Sequence, residues 1–207
     1  MITPDILNAA LQKTTALLDY PGMRLTPVDA DSIAAQQKWP DRYKYFRWLW
    51  QDGALCVEED NPDGTFKCHD SYPADGTSLS FAVWFGQILC GLSASRMYDT
   101  KNGPVIEGHF RESWKDQRNM LRGIFTIVCE HLSACVAKSI SCDDLRICDP
   151  LNEKLAAFYA RFSYTFTDPP TMAVEAPFPC MTTTLRRLSA ALNTSARKQQ
   201  PHKDVDA

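Results

Sequence analysis

A tyrosine, a carboxylate–imidazole pair and an arginine-bearing loop are the parts of this 207-residue chain whose types and spacing could do chemistry. Tyr159 lies in a run with helical spacing, and an unperturbed phenol, with a pKa of about 10, stays protonated at neutral pH and can donate to a leaving group. Glu107 and His109 stand in a strand-like run, 105–110. Period two puts them on one face and Ile106, Gly108 and Phe110 on the other, so either could take a proton from a nucleophile. Arg118, Asn119, Leu121, Arg122 and Gly123 lead into a helical run that opens at Ile124. Free amides and the dipole at a helix start bind anions, and the two guanidinium groups could add charge-assisted bonds to a phosphate. Each group also has a plainer reading: a core aromatic, an outward strand carboxylate, arginines on a solvated helix start.

The elements that must position these groups follow from pattern. In residues 144–166 the order is a short buried strand through Leu145, Ile147 and Cys148, a stop at Asp149-Pro150, and a helix capped by Asn152. Leu151, Leu155, Phe158, Tyr159 and Phe162 form its apolar stripe, and Tyr164 and Phe166 alternate with Thr165 and Thr167 as a half-buried strand does. Upstream, Ile124, Ile127, Val128, His131, Leu132, Cys135 and Val136 predict a helix over 124–138. Residues 79–98 read as strand, turn at Phe85-Gly86, strand, and Lys101-Asn102-Gly103-Pro104 is a further turn. Thr3 and Pro4 open a leading helix, a strand follows over 23–28, and Asp29 or Asp31 caps a helix through Ile33 to Trp39.

The series Asn152, Leu155, Tyr159 and Ser163-Tyr164 resembles the C-terminal motif of the GNAT superfamily of N-acetyltransferases. In that family an Asn opens the helix, an apolar residue sits three on, a Tyr seven on, and a Gly-Phe pair follows; Ser163 stands here for the glycine. The run from Arg118 to Gly123 is similar to the family's pyrophosphate loop, Arg/Gln-x-x-Gly-x-Gly/Ala, with Leu121 where the middle glycine belongs. The hairpin around Gly86 and the arginine-bearing strand at Arg24 are similar in kind, and the likeness spans about 23–187. It implies an α/β (α+β) fold with a mixed, mostly antiparallel central sheet flanked by helices, acetyl-coenzyme A as co-substrate, and an amine acceptor. Phe110, Arg118, Asn119, Leu121, Arg122, Gly123, Ile124 and Asn152 would hold the cofactor. Tyr159 would act as acid, with Glu107 first and His109 second as base.

Composition limits the rest. A formal charge of −3 and 44% apolar residues suit one soluble core and give no pull toward nucleic acid. No run is long and apolar enough for a membrane span and the start lacks a signal-peptide pattern, so a cytoplasmic monomer or homodimer is expected. The eight cysteines show no Cys-x-x-Cys pair. Cys129, His131, Cys135 and Cys142 read as buried small groups on a helix and its exit, the thiols as free, and no metal is expected. The aromatics from Tyr43 to Trp50 read as a core helix or as an acceptor-pocket wall, and 58–76 as a hairpin or long loop. Residues 168–185 supply a closing edge strand, with Pro177 and Pro179 fitting an edge. The chain then divides into a leading helix and turn (1–22), the transferase domain (23–189) and a frayed helix with a disordered tail (190–207). Two alternatives stay open: a GNAT-like protein that binds without catalysing, and an acyltransferase for longer chains.

Overall fold

The computed structural model describes residues 3–39, 47–51, 54–60, 66–69, 76–114, 119, 121, 123–150, 152–175 and 177–199. The chain begins with α1 (Pro4–Leu18), whose start is set by Thr3 accepting from the Ile6 amide and by Pro4 in the first turn. β1 (Met23–Pro27) leads into α2 (Ala30–Gln36), where Asp29 and Ser32 cap each other's backbone amides. Next come β2 (Arg47–Gln51), β3 (Ala54–Asp60) and β4 (Phe66–His69), then β5 (Thr77–Ser78), β6 (Phe81–Phe85), β7 (Ile88–Thr100) and β8 (Gly103–Ser113). The second half runs α3 (Phe125–Ser139), β9 (Asp144–Cys148), α4 (Glu153–Ala160), β10 (Thr171–Met172), β11 (Pro179–Thr184) and α5 (Leu185–Gln199).

The main sheet is ordered β1-β6-β7-β8-β9-β11-β10 with β5 on β7, and every pairing in it is antiparallel except β8 with β9. It is the mixed, mostly antiparallel sheet flanked by helices that the resemblance implied. One face is covered by α1, α3, α4 and α5, whose Leu11, Phe125, Val128, Leu132, Tyr159 and Leu188 join Val83, Met97, Ile106, Leu145 and Ile147 in the larger core. The other face carries a smaller cluster of Trp39, Trp84, Leu89, Leu92 and Trp114, against which Ile33 of α2 and Phe110 pack. The start of α3 presses so closely on β7 that a Cβ on Gly91 would overlap the Phe125 ring. Among the described residues no helix is long and apolar enough to cross a membrane.

Three elements differ from the sequence reading. Residues 47–51 are a strand of a separate β2-β3-β4 sheet, with Trp48 opposite Val57 and Trp50 opposite Leu55, not a core helix. Dense aromatics fit a pleated strand as well as a helix, so density alone could not choose. Positions 41–46 of that aromatic run lie outside the described residues. Tyr164 is buried, but Phe166 is half exposed and only Thr165 bridges to Thr182, so 164–167 adds a single bridge in place of a strand. The chain past Ala190 is still helical: α5 continues to Gln199 and seats Leu188 and Leu192 in the core.

Candidate functional site

The site grows out of how β8 leaves β9. The two strands pair in parallel from Val105 opposite Asp144 to Gly108 opposite Ile147. β9 then ends at Cys148 while β8 continues to Ser113 along β7, so the strands part. At the same point the β7–β8 register steps from Ser95 opposite Gly108 to Ala94 opposite Phe110, and His109 is the extra, bulged residue. A bulge turns the following side chains over. Ile106 accordingly sits in the larger core and Phe110 against the smaller one on the opposite face, which corrects the shared face that strict alternation gave them. Glu107 and His109 do share a face, with Oε2 and Nε2 3.6 Å apart.

Both groups are buried. Glu107 is fully enclosed, and its Oε1 accepts from Arg146 Nη1 at 3.2 Å and from the Val174 amide at 2.9 Å. Burial pushes its carboxyl above the usual range, against the pull of the Val174 amide and Arg146. His109 Nε2 lies 3.5 Å from the Tyr98 hydroxyl, and burial, helped by the nearby Arg96 charge, lowers its pKa to about 4. The imidazole is therefore neutral at pH 7. Cys148 completes a group with these two whose ligand atoms all lie within 4.8 Å of one another, the one set among the described residues that could hold a metal ion.

Tyr159 stands on α4 facing the part of β8 beyond its pairing with β9. The Arg111 guanidinium carbon is 5.3 Å from the centre of its ring, and Phe158 and Tyr164 meet it edge-on at 5.9 and 6.1 Å. Burial raises the phenol's pKa, with Arg111 pulling the other way. Asn152 caps α4 by accepting from the Leu155 amide at 3.0 Å, and Leu155 itself is exposed rather than part of a buried stripe. The turn after α4 puts Ser163 at φ 65°, the left-handed conformation that explains the glycine of the resembled motif. A side chain there costs about 1 kcal/mol. Ser163→Gly is expected to raise the melting temperature by about 3 °C, read by calorimetric unfolding; an unchanged or lower value would show that the Ser163 side chain compensates for its backbone.

Of the loop residues, Arg118 and Arg122 lie outside the described residues. Asn119 is buried and holds the loop together: its Nδ2 donates to Trp114 O at 2.7 Å and Cys90 O at 3.1 Å, and its Oδ1 accepts from the Leu121 amide at 3.0 Å. Leu121 turns its side chain into the core, 1% exposed. It therefore does not crowd whatever lies before α3. Gly123 has φ 89° with nothing among the described residues near where a Cβ would stand, and among the described residues Ile124 opens the 15-residue α3 without a side-chain cap hydrogen bond. These features fit the phosphates of coenzyme A.

Sequence reasoning missed Arg111 and Glu130. Arg111 Nη1 is 2.5 Å from Glu130 Oε1, and the Tyr164 hydroxyl donates to Glu130 Oε2 at 2.8 Å, all of it buried beneath the splayed strand. The legible signal was a glutamate on the otherwise apolar side of α3 next to Val128, Cys129 and Leu132. A cavity of 420 Å³ lined by Gly103, Pro104, Asp144, Thr183 and Arg187 opens at the beginning of the β8–β9 pair, the opposite end from the splay, and contains none of these groups.

No protein-family model and no curated protein matches the chain. Solved structures similar to it include Arabidopsis thaliana Naa50 in complex with the bisubstrate analogue CoA-Ac-MVNAL, at 15% identity and TM-score 0.49 over 79% of this chain and 97% of that one. Nourseothricin acetyltransferase is similar at 14% identity and TM-score 0.45, over 79% and 99%. Aminoglycoside N(6')acetyltransferase from Legionella pneumophila is similar at 11% identity and TM-score 0.48, over 82% and 95%. At these values none of the three bears on what this chain does.

Proposed function

We propose that the chain is a coenzyme A-dependent N-acetyltransferase that passes an acetyl group directly to an amine. The observation that carries this reading is the parting of β8 and β9 at the His109 bulge, with Tyr159 on one side of the gap and the open start of α3 beyond it. Acetyl-coenzyme A would supply the activated thioester. On this reading the amides at the start of α3 hold its pyrophosphate, with Arg118, Asn119, Leu121, Arg122, Gly123 and Ile124 as the loop, while Phe110 and Asn152 flank the acyl arm. Tyr159 gives its proton to the departing thiolate, and Glu107 first, His109 second, takes the proton that the acceptor nitrogen loses.

Titration calorimetry with acetyl-coenzyme A and thiol release with a panel of amines test the proposal together. Binding with acceptor-dependent thiol release is expected; no binding and no thermal shift would end it. One observation favours a silent, binding-only protein instead: Glu107 is fully enclosed with Oε1 held by Arg146 and Val174. Binding without thiol release for any amine would select that alternative, and release that grows with acyl length would select a longer-chain transferase.

A further inference from the structure

Glu107, His109 and Cys148 come from β8 and β9 at the point where the strands separate, and their ligand atoms lie within 4.8 Å of one another. Glu107 Oε1 is satisfied by Arg146 and the Val174 amide, but Oε2 is buried with no hydrogen-bond partner among the described residues and faces His109 at 3.6 Å. A fully buried carboxylate with one unpaired oxygen is costly, and a cation on that oxygen removes the cost. On the far side of Cys148, the Cys180 sulfur lies 2.7 Å from the Cys148 sulfur. Cys180 is thus placed to donate its S–H to a thiolate, as outer groups do around metal-bound sulfur.

We propose that Glu107, His109 and Cys148 form a binding site for a thiophilic divalent cation of the zinc class. Carboxylate, imidazole and thiolate together suit zinc, and three protein ligands leave a fourth position open. Carboxylate and thiolate neutralise the ion's charge, which lets the assembly stay buried. Arg146 then steadies the carboxylate from its other oxygen, while its own Nη2 is tied to Asp144 at 2.7 Å. No Cys-x-x-Cys or regular His spacing announces the site, because the strand register rather than the sequence brings β8 and β9 together. The site does not rest on the transferase reading. Occupied, it takes Glu107 and His109 out of service as bases.

The test titrates cobalt chloride, then zinc chloride, into the full chain stripped of metal and kept reduced. One equivalent of cobalt is expected to give a thiolate-to-cobalt charge-transfer band and the visible bands of a four-coordinate ion, and zinc is expected to displace it. Cys148→Ser should abolish the charge-transfer band and weaken binding more than about 100-fold, since losing even an outer partner typically costs 10- to 100-fold. If Cys148→Ser does not fold, as judged by circular dichroism, His109→Gln gives the second reading, with the charge-transfer band kept and affinity lowered. Absence of cobalt bands in the wild-type chain, or bands unchanged in a folded variant, overturns the site. Acetyl-coenzyme A binding is read separately by calorimetry, so loss of one proposal leaves the other standing.

Discussion

Tyr159→Phe is expected to leave a folded protein with unchanged acetyl-coenzyme A affinity and a turnover lower by roughly 10- to 10³-fold. The substitution keeps the ring that packs against Phe158, Tyr164 and Arg111 and deletes only the hydroxyl. In the wild type that hydroxyl has a pKa raised by burial, so it stays protonated at neutral pH and remains available as a donor. A group acting as acid must hold its proton, so the activity it supports falls only as pH rises through that raised pKa, and Tyr159→Phe loses this alkaline limb. Tyr164 supplies the contrast on the same wall. Its hydroxyl is committed to Glu130 at 2.8 Å, so Tyr164→Phe acts on stability through an unpaired buried oxygen instead of on proton transfer. Turnover of a confirmed amine by Tyr159→Phe at the wild-type rate would return Tyr159 to the role of a core aromatic.

What could be read from sequence was local. Thr3-Pro4, Asp29 and Asn152 marked helix starts because a short side chain that accepts from an amide three residues on acts within one turn. Gly86 marked the β6–β7 hairpin because that turn takes a left-handed backbone, here φ 57°, which glycine adopts without strain. The site depended on longer-range facts. The bulge at His109 leaves no trace in an alternating run, since one extra residue looks like any other until its partner strand is known. Leu121 stands where the resembled loop has a glycine, and its side chain turns into the core, in a loop that Asn119 ties to Trp114 and Cys90. Cys148 and Cys180 are 32 residues apart and became neighbours only through the antiparallel register of β9 and β11. Leu188 and Leu192 are apolar anchors on a mostly polar helix, and their packing, not their local pattern, decides that α5 belongs to the core.

The ion pair beneath the splayed strand carries the largest expected effect on stability. Arg111 and Glu130 have side chains 9% and 0% exposed, so each charge depends on the other. Burial works against the charged guanidinium, and Glu130 together with Tyr159, Cys129 and Tyr164 outweighs it, holding Arg111 charged well above the usual range. Removing one partner of such a pair typically costs about 3–5 kcal/mol, because the remaining charge is stranded away from water. Arg111→Met should therefore lower the melting temperature by about 10 °C. Glu130→Gln keeps the shape and an acceptor for the Tyr164 hydroxyl while removing the charge that Arg111→Met would strand. The double variant is thus expected to recover most of the loss, since replacing both members of a buried pair is often near neutral. A thermal-unfolding cycle of the two single variants and the double variant reads the coupling directly. Additive losses would show that Arg111 and Glu130 are solvated separately, and that what holds α3 under β8 is apolar contact alone.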